Sequence, residues 1–122
     1  MEVRMKFTCP CCGRRTFQSF SGSYEICPVC FWEDDPIQLL DPGYRGGANE
    51  SSLTECQANY RRAGASDERM LAHVRRPTLD EEVDSEWRPV QDADLASPRS
   101  PKDLSDEEYR RLEPWYYWKR GL

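Results

Sequence analysis

Apolar residues in this chain come in short, broken runs, and few keep a period for long. Between residues 16 and 26, "TFQSFSGSYEI" sets β-formers on either side of Ser21-Gly22-Ser23, which predicts a short hairpin. Residues 33–49 hold two prolines and three glycines and predict an ordered loop with little regular structure. A helical spacing then takes over. Leu53, Cys56 and Tyr60 fall at i, i+3 and i+7. "SLTE" at 52–55 reads as a capping box, with Ser52 as N-cap and Glu55 reaching back, and Gly64 as the C-cap. A second helix is expected from Ser66, with Met70, Leu71 and Val74 as its apolar stripe and Pro77 as its stop.

Beyond residue 78 the pattern fades. Seven carboxylates stand against Arg88 between 78 and 95, so residues 83–104 read as an acidic linker or a loosely docked arm. Order signals return with "SDEE" at 105–108, a further capping box, and with Tyr109, Leu112, Trp115, Tyr116, Tyr117 and Trp118. Such dense aromatics serve either a small core or a partner-facing patch. Base stacking beside Lys119 and Arg120 is a third use. The chain thus divides into three parts: a cysteine-rich domain with a helix pair at 1–82, the acidic linker at 83–104, and an aromatic C-terminal helix or tail at 105–122.

Composition changes this picture in one respect. Only 38% of the 122 residues are hydrophobic and 32% are charged, so a single domain of this kind needs a staple. The cysteines supply the candidate. No apolar stretch suits a signal peptide or a membrane span, which makes the cytoplasm the expected compartment. There, paired C-x-x-C spacings favour a metal over disulfides.

Cys9-x-x-Cys12 and Cys27-x-x-Cys30, with fourteen residues between the pairs, fit a zinc ribbon. Pro10 and Pro28 follow the first cysteine of each pair and preset the turn. Gly13 follows Cys12, where a positive φ brings backbone N–H groups toward sulfur. Phe31 stands at that place in the second cluster, so a somewhat different turn is expected there, with Phe31 and Trp32 covering the apolar side. Four thiolates saturate a zinc ion, which points to structural and not catalytic metal. Disulfides, a redox dithiol and an iron–sulfur centre are the competing readings.

Cys11 is the surplus thiol of the first cluster. It is either a packed thiol beside the site or a low-pKa thiol tuned by Arg14 or Arg15. Cys56 is assigned to the core, and the sole histidine, His73, to a surface or interhelix position.

"CPCCG", "SYEICPVCFWEDD", "GGANESSLTECQANYRRAGA" and "VRRPTLDEE" together resemble the cysteine-rich CPCC domain family, small and mostly bacterial proteins. The resemblance covers roughly residues 6–82. It implies a zinc-binding domain with Cys9, Cys12, Cys27 and Cys30 at the matching positions, and it brings no established reaction.

Two further motifs carry weaker signals. Glu33, Asp34 and Asp35 suit general acid–base work or a hard cation, but Asp35 before Pro36 is also a turn device, and these carboxylates can hydrogen-bond the glycine-rich loop. "GYRGGAN" at 43–49 lacks the phosphate-loop pattern.

The net charge of −5 argues against broad nucleic-acid or anionic-membrane binding. The expected protein is therefore an α+β chain: a small zinc ribbon followed by short helices and an acidic, partly irregular C-terminal arm. The expected function is non-enzymatic, a Zn2+-stabilised protein-interaction module, such as an inhibitor or immunity-type partner of a basic protein. One alternative is a nucleic-acid-associated ribbon using Arg4, Lys6, Arg14, Arg15 and Arg45. Another is a thiol redox sensor or enzyme using Cys11.

Overall fold

The computed structural model describes residues 6–19 and 22–120. Strand β1 (Phe7–Thr8) pairs antiparallel with β2 (Arg15–Phe17), in register Phe7 with Phe17 and Thr8 with Arg15. The turn between them is the first cysteine cluster. The predicted hairpin at 16–26 is thus misplaced. The C-x-x-C turns are themselves hairpin turns, and a second, isolated bridge joins Ile26 to Glu33 across the second cluster. Tyr24, between the two turns, has φ 59°. Of the residues in that prediction, Phe20 and Ser21 lie outside those described.

Helix α1 (Pro36–Leu40) starts where Asp35 caps it, its carboxylate accepting from Ile37 N–H at 2.8 Å, with Pro36 at the first helical position. The loop after it is held by two amides. Gln38 Nε2 donates to the carbonyls of Tyr44, Asn49 and Ser51, and Gln38 Oε1 accepts from Asn49. Asn49 in turn bridges Glu33 N–H and C=O.

Helix α2 (Leu53–Ala63) has the predicted box. Ser52 Oγ accepts from Glu55 N–H at 3.1 Å, Glu55 accepts from Ser52 N–H at 3.0 Å, and Gly64 closes the helix in the left-handed conformation. The second helix of the expected pair is instead a 3-10 segment, Glu68–His73, capped by Asp67 and burying none of its residues. Asp67 caps it in place of Ser66, which is buried. Its N–H donates to Cys30 O and its own carbonyl accepts from Asn59. Leu71 lies largely exposed.

Further on come α3 (Asp92–Leu95), a 3-10 turn at Pro101–Asp103, α4 (Asp106–Tyr109) with the predicted Ser105–Glu108 box, and a 3-10 turn at Tyr117–Lys119. Trp115, Tyr116, Tyr117 and Trp118 are buried with the five N-terminal cysteines, Phe17, Trp32, Leu39, Leu40 and Leu53 in one core. The aromatics between 115 and 118 thus complete the core. No helix among the described residues is long and apolar enough to cross a membrane.

Candidate metal centre

Each cysteine pair sits on a tight backbone turn with the same wiring. In the first, Gly13 N–H donates to Cys9 O at 2.8 Å and Cys9 N–H donates to Arg14 O at 2.8 Å. In the second, Phe31 N–H donates to Cys27 O at 2.8 Å and Cys27 N–H donates to Trp32 O at 2.9 Å. Gly13 has φ 77° and Phe31 has φ 70°, so the fifth residue of each turn is left-handed. The expected difference between the two turns is absent. Phe31 accepts the conformation glycine takes without cost, and its ring rests on His73 with centroids 5.4 Å apart. Trp32 is fully buried, as expected of a covering residue.

These turns bring Cys9, Cys12, Cys27 and Cys30 together, all buried, with their sulfurs within 4.8 Å of one another. Cys9 Sγ lies 3.6 Å from Cys30 Sγ, and Cys12 Sγ lies 3.9 Å from Cys27 Sγ. A tetrahedral ion with metal–sulfur bonds of about 2.3 Å requires sulfur–sulfur edges of about 3.8 Å. These two edges bracket that value, so the donor set fits a metal ion.

The electrostatics agree with a site waiting for charge. Burial opposes ionisation at Cys27, yet hydrogen bonds from Cys12, Cys30, Cys9 and Thr16 outweigh it and hold this thiol well below its ordinary range. Thr16 Oγ1 is 3.1 Å from Cys27 Sγ. Cys9 and Cys30 are pushed up, chiefly by burial. Four crowded sulfurs cannot all carry charge without a cation among them, and an ion would deprotonate them together.

A family profile described as Cysteine-rich CPCC matches residues 7–81, which include both turns. The chain belongs to the cysteine-rich CPCC family. No curated protein matches it. The CPCC match ends at residue 81, and residues 82–87, just beyond it, pack on the first turn.

The sequence pattern gave no sign of that packing. Val83 bridges Arg14, Arg15 N–H donates to Glu82 O at 2.9 Å, and Asp84 N–H donates to Gly13 O at 2.8 Å. Thr8 Oγ1 donates to Asp84 at 2.7 Å. The Trp87 ring lies directly on Gly13, where a Cβ would approach it to 2.4 Å, and its Nε1 donates to Pro10 O at 3.0 Å.

Gln57 is buried beneath the same turn. Its Nε2 donates to Pro10 O and to Tyr117 Oη, both at 2.9 Å, and its Oε1 accepts from Val90 N–H. Tyr117 Oη donates onward to Arg88 O. One amide therefore ties the CPCC turn to two points of the C-terminal segment. Glu81 is also buried, in a bidentate pair with Arg75 at 2.7 and 2.9 Å, and that pairing holds its carboxyl down at about 2. A polar residue in an amphipathic pattern counts as surface, so period alone could not find Gln57. Its place one turn after Leu53 was the available signal.

The remaining candidates fall outside the centre. Cys11 is buried, and burial raises its thiol against the lowering effect of a hydrogen bond with Cys30, the reverse of an activated thiolate. Cys56 is buried, 3.7 Å from Ser51 O. Asp35 serves the glycine-rich loop as well as α1, accepting from Ala48 N–H at 2.9 Å. Asp34 accepts from Ser23 N–H and Oγ at 3.1 and 2.9 Å, and burial raises its carboxyl to about 6.

Four of the cations proposed for a nucleic-acid face are engaged. Lys6 pairs with Asp80, Arg15 with Asp84 and Arg45 with Glu55, while Arg14 donates to Glu81 O. Arg4 lies outside the described residues.

Proposed function

We propose that this chain is a non-enzymatic, zinc-stabilised protein-interaction module of zinc-ribbon type. Cys9, Cys12, Cys27 and Cys30 would hold Zn2+, and the ion would supply the folding free energy that a chain poor in apolar residues lacks. The single observation that carries this reading is the clustering of four buried sulfurs within 4.8 Å of one another, with two edges at 3.6 and 3.9 Å. Zinc is favoured over other metals by an all-thiolate donor set on two C-x-x-C turns. Four protein ligands leave no position for water or substrate, which supports a structural role.

The interaction part of the proposal rests on an open cleft beside the second turn, of about 240 Å³. Ile26, Phe31 and Met70 give it an apolar lining, and Glu33, Glu50 and Asp67 outnumber Arg69 at its edge. Arg69 is itself paired to Asp67 and Glu50. A basic partner presenting an apolar side chain suits this surface, and the net charge of −5 would speed its approach. An inhibitor or immunity-type partner of a basic protein is the form this role would take.

Two measurements test the proposal. Metal analysis of the purified chain should find one zinc per molecule, and Cys30→Ser should release it and unfold the N-terminal part. Retained stoichiometric zinc with a native circular-dichroism spectrum in that variant would remove Cys30 from the ligand set. Native mass measurement of the protein from its source cell should find it bound to a second protein. A uniformly monomeric species would sink the interaction role and leave the zinc assignment standing.

A further inference from the structure

An added strand lies along the exit of the first cysteine turn. Arg15 N–H donates to Glu82 O at 2.9 Å, Asp84 N–H donates to Gly13 O at 2.8 Å, and Val83 bridges Arg14 between them. Charge follows the backbone pairing. Arg15 reaches Asp84 at 3.3 Å and Lys6 reaches Asp80 at 3.0 Å, so a cationic turn has taken an acidic segment.

A shift of eighteen positions carries Gly13, Arg14 and Arg15 onto Phe31, Trp32 and Glu33 of the second turn. Only one end of the same strand position is filled there. Glu33 N–H donates to Asn49 Oδ1 at 3.0 Å, and Asn49 Nδ2 donates to Glu33 O at 2.9 Å. A side-chain amide thus holds the place at Glu33 that Glu82 O holds at Arg15. At the other end stands Phe31 O, the counterpart of Gly13 O, on a residue with the same left-handed backbone. It has no donor among the described residues.

Phe31, Glu33 and Asn49 all line the open cleft of about 240 Å³. That is below the range of about 300–1,000 Å³ common for small-molecule sites, and it suits a single long side chain better. Exposed Ile26 and half-buried Phe31 and Met70 give apolar walls. The charge is reversed from the first turn, since Glu33 stands where Arg15 does. Arg69, the one cation lining the cleft among the described residues, is paired to Asp67 and Glu50 and leaves Glu33 without a partner.

We propose that this cleft takes an extended basic segment of a partner protein by strand addition. One lysine or arginine of the segment donates its backbone N–H to Phe31 O, as Asp84 does to Gly13 O. Its aliphatic stem lies against Ile26, Phe31 and Met70, and its charged end pairs with Glu33. The partner is the one called for by the interaction role above, and the assignment of this cleft rests on that role.

The test is an NMR titration of the full-length, zinc-loaded chain with acetyl-Ala-Lys-Val-Lys-Ala-amide, a charge-reversed form of Glu82-Val83-Asp84. Saturable shifts are expected at Phe31, Glu33 and Met70. Methylating the backbone nitrogen of the second lysine removes the donor to Phe31 O and should weaken binding about fivefold or more. Methylating the nitrogen of the following alanine, which points away from the turn in such a strand, should not. Glu33→Gln should weaken binding about two- to fivefold, and Glu33→Lys should shift preference to acetyl-Ala-Glu-Val-Glu-Ala-amide. Bound metal and circular dichroism report that each variant is folded.

No saturable shift at millimolar peptide, an equal response of the unmodified protein to the glutamate peptide, or unchanged affinity for the lysine-methylated peptide overturns strand addition. If native mass measurement finds a partner while the peptide does not bind, strand addition falls and the interaction role stands. If the peptide binds as expected and no partner is found, the interaction role falls and the cleft's choice of a basic strand stands.

Discussion

The two cysteine turns share a backbone and differ in what lies on them. Shifting the first by eighteen positions gives the second: Cys9 to Cys27, Gly13 to Phe31, and the Thr8–Arg15 pair to the Ile26–Glu33 bridge. The proline carbonyls also correspond. Pro10 O accepts from the side chains of Gln57 and Trp87, whereas Pro28 O accepts from Arg75 N–H at 3.1 Å. The first turn lies under an indole that leaves no room for a Cβ. The second is open and carries an aromatic ring of its own. The comparison separates two causes that a motif merges. Proline and the C-x-x-C spacing shape the turn, while the residue at its left-handed position answers to whatever covers it.

Substitutions in both turns probe this comparison, in falling order of effect. Cys9→Ser and Cys30→Ser, one from each turn, should be equally severe, each abolishing stoichiometric zinc and cooperative unfolding. A variant that keeps its metal would break the equivalence of the turns.

Gly13→Ala should cost about 3 kcal/mol, combining the left-handed penalty with overlap against the Trp87 ring. Denaturant unfolding measures it. In the Trp87→Ala background the same change should cost only the backbone share, about 1–2 kcal/mol.

Phe31→Gly should shift stability by less than about 1 kcal/mol, because relief of the left-handed residue offsets lost contact with His73 and greater freedom when unfolded. A loss as large as that of Gly13→Ala would show that Phe31 is as tightly packed as Gly13.

The smallest effect is pH-dependent. Asp34 occupies the place corresponding to Thr16, and burial raises its carboxyl from 3.8 to about 6. The folded state then holds this proton more tightly than the unfolded chain does. Its contribution therefore grows as pH falls through 6 and levels off near 3.8. Between pH 8 and 5 the native protein should gain about 1 kcal/mol relative to Asp34→Asn, read from paired denaturant curves. A flat difference over that range would contradict the raised carboxyl.

Much of the centre was legible because its rules are local. Within each turn the cysteine spacing, the proline and the left-handed residue act within five residues, and so do the Ser52–Glu55 and Ser105–Glu108 boxes and the Asp35–Pro36 helix start. The hairpin was misplaced because β-formers at 16–26 outweighed the fact that a C-x-x-C turn is already a hairpin turn. The second helix is instead a short, exposed 3-10 segment flanked by Ser66 and Arg75, whose N–H groups donate to the second turn.

The cover of the first turn was hidden for a different reason. Trp87, Asp84 and Glu81 sit in a stretch whose composition reads as solvated. Their partners Gly13, Thr8 and Arg75 are chosen by long-range geometry that no periodicity encodes. Gln57 was missed likewise, since a buried amide is recognisable only once its three partners are in place.

The indole over Gly13 also sets a timetable. Trp87 lies 57 residues after Cys30 in the chain, so during synthesis at about 5–20 residues per second it emerges roughly 3–11 s after the last cysteine of the cluster. For that interval the Gly13 face and the Pro10 carbonyl lack their indole, and the first turn gains this cover only after the residues of the second turn are already made.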